Sequence, residues 1–168
     1  MAYSAMAVAN AFIKRAKEGR LQNLSPMKLQ KLLYYAHSWN LALKDKPLLD
    51  DFFARWTYGP VIPSLYHEFK EYGASDILDY GGHIVEEDGE LVRKRPIVGK
   101  RDEATWALID RIIEVYGGYS GAQLSSMTHS KDSAWSQTGE VDGGPIPNAE
   151  LARCVRNVAK SKNVSQTS

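Results

Sequence analysis

The stretch SPMKLQKLLYYAHSWNLAL, residues 25–43, decides the fold of this chain. Ser25 followed by Pro26 predicts a helix start, because a serine side chain caps free backbone N–H groups and proline suits the first helical position. Apolar side chains at helical spacing then form two faces, and Lys31 and Ser38 lie on a narrow polar strip between them. A helix that is apolar on two sides is usually central in its domain. The larger face comprises Leu29, Leu32, Leu33, Ala36, Trp39 and Leu43, and the smaller face comprises Tyr34 and Leu41.

Similar signals on both sides of this stretch predict further helices. Capping residues, prolines and glycines place their ends, since these residues start or stop helices for known stereochemical reasons. The expected helices run over about 4–19, 63–72, 102–116 and 120–127, with a last one starting near Pro147. Between them, Asp88-Gly89 fits a type I′ turn and predicts a β-hairpin over about 83–94 with Val85 opposite Val92. An isolated ribbon is only marginally stable, so we expect it to pack on the helices.

The fold expected from these patterns is mainly α. It is a compact bundle of about six short helices with one inserted β-hairpin, forming a single domain over residues 1–160. The last residues, 161–168, are small and polar and predict a flexible C-terminal tail. A chain of 168 residues can bury enough apolar surface to fold without a metal or a disulfide.

The cysteine count and the distribution of apolar residues indicate in which cellular compartment the protein is expected. The single cysteine, Cys154, excludes an internal disulfide and a zinc site built from several cysteines. The sequence contains no apolar run of about 18 residues, which a membrane-spanning helix would need. Near the N-terminus, basic residues follow the first apolar stretch instead of preceding it, unlike a secretory signal. We therefore expect a soluble, cytoplasmic protein without a membrane partner.

The net charge of +1 hides a strong segregation along the chain. Residues 1–75 hold ten Lys and Arg against six Asp and Glu, whereas residues 76–150 hold seven against fourteen. Residues 151–168 hold four basic side chains and no acidic one. A general nucleic-acid binder would show an overall basic excess, so a nucleic-acid partner is not expected. Local patches suit a partner of complementary charge.

Residues with the chemistry for catalysis are present but lack catalytic spacing. The histidines at 37, 67, 83 and 129 do not form a metal-ligand motif such as His-Glu-x-x-His. Cys154 falls on an apolar helical face, where a thiol behaves as a small hydrophobe. The glycine-rich turn over 117–121 lacks the lysine of a phosphate-binding loop. The sequence therefore predicts no catalytic, metal-binding or cofactor-binding residues, and a protein that is not an enzyme.

Two patches favour binding to a partner. Arg93-Lys94-Arg95 and Lys100-Arg101 place five basic side chains within nine residues; alternatively, they pair with Glu86 and Glu87 inside the hairpin. The second patch is a set of aromatic residues at 56, 58, 66 and 72, which either fill the core or form an interface. Tyr58 sits at a chain break, and tyrosine is enriched among residues that dominate interface energy. The candidate partner-binding residues are Tyr58, Arg93, Arg95 and Lys100.

Several separated stretches together resemble the Panacea-domain family, which includes the SocA-type antitoxins and many phage-associated proteins. They are PMKLQKLLYYA (26–36), Trp39, KPL (46–48), WTYGPVIP (56–63), LYHEF (65–69), Tyr116-Gly117, Leu124-Ser125, Thr128-His129-Ser130 and Trp135. The similarity spans about residues 5–158. One departure is Ser133-Ala134-Trp135, because the family usually has a proline before this tryptophan.

The resemblance implies an antitoxin of a bacterial or phage toxin–antitoxin system that neutralises a toxin from an adjacent gene by direct binding. A second possibility is a proteolytic adaptor that delivers the toxin to an ATP-dependent protease, as SocA-type members do. An enzyme that removes the toxin's product is a third possibility, and a DNA-binding autorepressor a fourth. The family has no agreed catalytic set, so the resemblance assigns no catalytic residue here.

Overall fold

The computed structural model describes the backbone of residues 2–167 and the side chains of residues 2–157. Helices dominate the described chain and two short antiparallel hairpins interrupt them, which confirms the mainly α prediction. No helix of the described part is long and apolar enough to cross a membrane. The elements are α1 (Ala5–Lys17), α2 (Pro26–Lys44), β1 (Ala54–Trp56), β2 (Gly59–Val61), α3 (Pro63–Phe69), a 3₁₀ turn (Lys70–Tyr72), β3 (His83–Glu87), β4 (Glu90–Lys94), α4 (Glu103–Tyr116), α5 (Gly121–Thr128), α6 (Ala134–Gln137) and α7 (Asn148–Thr167).

Helix α2 lies at the centre, as its two apolar faces predict. It packs against α1, α3, α4, α5, α7 and β2. Because neighbours surround it, the expected polar strip is also buried: Lys31 is 1% exposed and Ser38 is fully buried. The apolar face ends sooner than expected, since Leu43 is 69% exposed at the end of the helix. Trp39 is only half-buried, and its Nε1–H donates to the Tyr116 hydroxyl at 2.8 Å.

Local capping explains where the helices begin. The Ser4 and Ser25 hydroxyls accept from the backbone N–H groups of residues 7 and 28, as expected from the sequence. Asp102 caps α4 in the same way, and Ser120 forms a capping box with Gln123 at the start of α5. The helix predicted over 63–72 becomes α3 plus the 3₁₀ turn, and Gly73 follows with a φ of 59°.

The predicted hairpin over 83–94 is present as β3 and β4. Asp88 and Gly89 have φ values of 51° and 81°, as a type I′ turn requires, and Val85 pairs with Val92. The ribbon packs on the rest of the fold less than expected, since Ile84 and Leu91 on one face are 72% and 79% exposed and Val85 and Val92 on the other face are only partly buried. Charge pairing within the ribbon is real, because Lys94 Nζ lies 2.7 Å from a Glu87 carboxylate oxygen.

Two elements were not expected from the sequence. The first is the β1–β2 hairpin, where Trp56 pairs with Gly59 across the turn. The second is α6, whose first turn is capped by Ser133, so the helix start is kept without the family's proline. The backbone of α7 continues to Thr167, and the flexibility expected of residues 161–168 stays a prediction.

Candidate functional site

The β1–β2 hairpin and the residue after it, residues 54–62, form the structural centre of the candidate site; we call this segment the clamped hairpin. Two side chains of α2 hold one of its sides. Gln30 makes two bonds to Ile62, because its Nε2–H donates to the carbonyl at 3.0 Å and its Oε1 accepts from the backbone N–H at 2.9 Å. Lys31 Nζ donates to the Pro60 carbonyl at 3.0 Å. The hairpin is therefore fixed to the central helix.

Side chains from α5 and α6, with His129 between them, hold the turn of the clamped hairpin. The Trp135 Nε1–H donates to the carbonyl of residue 56 at 2.8 Å, and the Ser125 hydroxyl donates to that of residue 58 at 2.8 Å. Between them, His129 Nε2 lies 2.9 Å from the carbonyl oxygen of residue 57. Three successive carbonyls thus each contact a separate side chain, which leaves this turn little freedom to change conformation.

Gly59 is required where the hairpin meets the helices. Its φ of 107° is one that side-chain-bearing residues rarely adopt. A Cβ here would also lie 2.6 Å from Thr128 Oγ1 and 3.0 Å from Lys31 Nζ. The stretches that carry the family resemblance therefore meet at this point. Residues 30, 31, 59 and 60 belong to them, and so do the contacting residues Ser125, Thr128, His129 and Trp135.

A cleft of about 230 Å³ lies beside the clamped hairpin, and we call it the aromatic cleft. Its surface is largely apolar, yet Tyr58 and Tyr66 are 68% and 44% exposed. Trp56 packs edge-on against Tyr66 with ring centroids 5.1 Å apart. The cleft is lined by Pro26, Met27, Leu29, Gln30, Lys31, Trp56, Tyr58, Val61, Leu65, Tyr66, Phe69, Lys70 and Gly73.

Lys31 is the unusual residue of this cleft. Burial disfavours the charged amine and lowers its pKa from the ordinary 10.5 to about 7. Among the described residues, no carboxylate lies within ion-pair distance of its Nζ. The only other cationic residue lining the cleft in the described part of the chain is Lys70, which is exposed at its edge.

The structure separates the predicted partner-binding residues into two groups. Tyr58 lines the aromatic cleft, whereas Arg95 and Lys100 line a second cavity of about 230 Å³, the basic pocket. Arg93 lies between them, with its guanidinium donating to the Tyr80 carbonyl at 3.1 Å. The basic pocket is lined by Asn10, Ala11, Lys14, Tyr80, Arg95, Ile97, Val98, Lys100 and Trp106.

Sequence reasoning missed the residues that hold the hairpin, above all Gln30, Lys31 and His129. A usable signal was present, because a lysine on a helix expected to be surrounded by neighbours must be buried against one of them. Two residues with chemically reactive side chains, His37 and Cys154, are buried in the described part of the chain. His37 is buried, its Nδ1 accepts from the Leu49 N–H at 3.2 Å, and burial lowers its pKa. Burial likewise raises the pKa of the Cys154 thiol.

The described residues contain no group of three or more His, Cys, Asp or Glu side chains that could hold a metal ion. The buried polar side chains at the clamped hairpin instead bind backbone groups, as the Gln30 and Ser125 contacts show. The geometry of this region is therefore that of a rigid surface beside a cleft.

Comparison with known proteins places the clamped hairpin within a family domain. The family model described as "Antitoxin SocA-like, Panacea domain" matches residues 29–136, which include the whole clamped hairpin and its contacts from α5 and α6. The chain is 31% identical over 155 residues to "Antitoxin SocA" of Caulobacter vibrioides (strain NA1000 / CB15N), covering 88% of this chain and 74% of that protein. No solved structure gives a significant match. The chain therefore belongs to the SocA-like antitoxin family with a Panacea domain.

Proposed function

We propose that this protein is an antitoxin that neutralises a cognate toxin by direct binding, with the aromatic cleft at the centre of the interface. Family membership and the similarity to a protein named "Antitoxin SocA" support the antitoxin role. The observation that carries the choice of surface is the position of Tyr58. It is 68% exposed, yet its backbone carbonyl is fixed by Ser125 at 2.8 Å.

Such an arrangement suits tight association. Tyrosine and tryptophan side chains dominate interface energies because they bury a large area and few torsions need to be fixed. A surface held in place before binding loses less conformational entropy when the partner arrives. The clamped hairpin meets this condition, because its turn is restrained by contacts from α5, His129 and α6. Tyr58 and Tyr66 then supply exposed aromatic area beside an apolar cleft.

The basic residues are proposed as the outer part of the same interface. Phe69 and Tyr72 line a depression that extends from the aromatic cleft towards Tyr80 and the basic pocket. Arg95 and Lys100 line the basic pocket and are exposed. Charges at the edge of an interface mainly raise the association rate and make it depend on salt. We therefore assign the energy of binding to the cleft and the steering of the toxin to the basic residues.

A proteolytic adaptor is the second candidate, and the separation of the two cavities favours it. An adaptor needs one surface for the toxin and another for a protease component. The aromatic cleft and the basic pocket have no lining residue in common. In that mechanism the toxin disappears from the cell instead of accumulating in an inactive complex.

The test is co-expression with the toxin encoded by the adjacent gene, scored by growth. Tyr58→Ala is expected to abolish both protection and the purified complex while the helical circular dichroism is unchanged. Tyr119→Ala is the matched control, because Tyr119 is 42% exposed and lines neither cavity. Arg95→Ala is expected to slow association and weaken protection slightly. If Tyr58→Ala protects at native expression, this surface is not the interface; loss of toxin only in cells with the protease would indicate the adaptor.

A further inference from the structure

Lys31 has no structural role that requires a lysine. A buried amine without a carboxylate partner lowers the stability of the fold, because its charged form loses hydration. One of its three N–H groups is used, in the 3.0 Å bond to the Pro60 carbonyl. The neighbouring Gln30 shows that a neutral side chain can bind this hairpin, since both of its amide atoms contact Ile62. Because the buried amine lowers the stability of the monomer, its presence at this position points to a role in binding a partner.

The charges around the aromatic cleft point to the same use. Lys31 and Lys70 line it, and within the described residues no Asp or Glu does. Glu68 of α3 and Glu71 of the 3₁₀ turn are close by, but they line the neighbouring depression. The cleft therefore combines apolar walls, exposed tyrosine rings and positive charge that nothing in it balances. Such a surface is complementary to a group that is both apolar and anionic.

We propose that the aromatic cleft receives a segment of the toxin in which a large apolar side chain neighbours an Asp or Glu, and that Lys31 is the partner of that carboxylate. This inference rests on the proposed function and names the chemistry of its binding site. The apolar side chain fills the space between residues 29, 61, 65 and 69. Lys31 is 1% exposed in the free protein, so its side chain turns from the Pro60 carbonyl towards the cleft to donate to the carboxylate. An ion pair removed from water in this way is much stronger than one on the surface.

A carboxylate beside Lys31 also favours its protonated form. The amine is partly neutral near pH 7 in the free protein, so binding must take up protons from solution. The other titratable groups around the cleft are Lys70, Tyr58 and Tyr66, and His129, which follows α5, contacts the hairpin turn. A Lys31 variant separates the contribution of the amine from theirs, because it leaves all four in place.

A pair of small probes tests the carboxylate preference with the full chain. Indole-3-propionate carries an aromatic group and a carboxylate, and indole-3-propionamide is its neutral analogue. We expect chemical-shift titrations at pH 7.5 to show the carboxylate binding about fivefold more tightly or better. That preference should vanish in Lys31→Met and Lys31→Gln, whereas the amide binds all three proteins alike. Lys70→Met is the control for a charge at the cleft edge and should keep the preference.

Calorimetry in buffers of different ionisation enthalpy supplies a second readout. The wild-type protein should take up a fraction of a proton when it binds the carboxylate, and the Lys31 variants should take up none. Equal binding of the two probes, no saturable binding of either, or a preference lost only in Lys70→Met would overturn the inference. If Tyr58→Ala abolishes protection but Lys31→Met keeps it in full, the interface stands and the carboxylate partner does not.

Discussion

Replacing Lys31 by methionine should stabilise the free protein. The pKa falls from 10.5 to about 7 on folding. A difference of about 3.5 units corresponds to about 5 kcal/mol of unfavourable free energy at and below neutral pH, at about 1.4 kcal/mol per unit. Methionine fits a similar volume but cannot make the hydrogen bond to the Pro60 carbonyl. The loss of that bond should reduce the gain in stability by about 1.5–3 kcal/mol. The expected net effect is about 2–3.5 kcal/mol of added stability at pH 7.

The same reasoning fixes the sign of the pH dependence. Between pH 7 and pH 10 the unfolded lysine holds its proton and the folded one has released it. The unfolded state therefore binds more protons, and wild-type stability rises with pH in this window through Lys31. Lys31→Met lacks this contribution, so its advantage should shrink by about 2 kcal/mol between pH 7 and pH 9.

Urea denaturation at pH 6, 7, 8 and 9 measures both effects in one series. The difference between the two proteins isolates Lys31, because Lys28, whose pKa is also lowered by burial, is present in both. Measurements should stop near pH 9, since burial raises the pKa of Tyr34 and Tyr35 and these groups reverse the trend at higher pH. A variant less stable than wild type at every pH, or a gap that stays constant with pH, would refute the reasoning.

Three further predictions concern the scaffold. Gly59→Ala should destabilise by about 2–4 kcal/mol in chemical denaturation, from positive-φ strain and overlap with α5; a loss under about 1 kcal/mol would mean that the hairpin relaxes. Burial lowers the pKa of His37, so the free energy of unfolding should fall as the pH drops below about 6.5, where the imidazole of the unfolded chain takes up a proton. In chemical denaturation, His37→Gln should reduce this fall, whereas the control His67→Gln, at an exposed position, should not. Trp39→Phe should cost about 1 kcal/mol through loss of the Tyr116 hydrogen bond, visible as a lower melting temperature, and an unchanged melting temperature would show that bond to be dispensable.

The parts of the fold that could be predicted depend on neighbours in sequence. Ser25, Ser120 and Asp102 cap backbone groups three residues away, so a short window contains the whole interaction. The turn at Asp88-Gly89 is local for the same reason. The β1–β2 hairpin escaped notice because Gly59-Pro60 is typical of a chain break and proline weakens a strand pattern.

The candidate site was less predictable because distant contacts create it. Lys31 is buried by a hairpin 29 residues further along the chain, and neither segment alone shows that they meet. Tyr58 was predicted as an exposed anchor and is exposed. Its grouping with Arg95 and Lys100 depended on how the chain folds between them, and the structure places those two in a different cavity.

The three successive carbonyl contacts at the turn of the clamped hairpin allow its exposed side chains to change, and with them the partner that the domain binds. The turn is held through its backbone carbonyls. The side chains of Thr57 and Tyr58 are exposed, and among the described contacts they make no hydrogen bond to the rest of the domain. Residues 57 and 58 can therefore be exchanged without loosening the turn that presents them. Libraries randomised at these two positions should yield folded proteins with altered partners, which makes the hairpin a natural point for redirecting the domain to a new target.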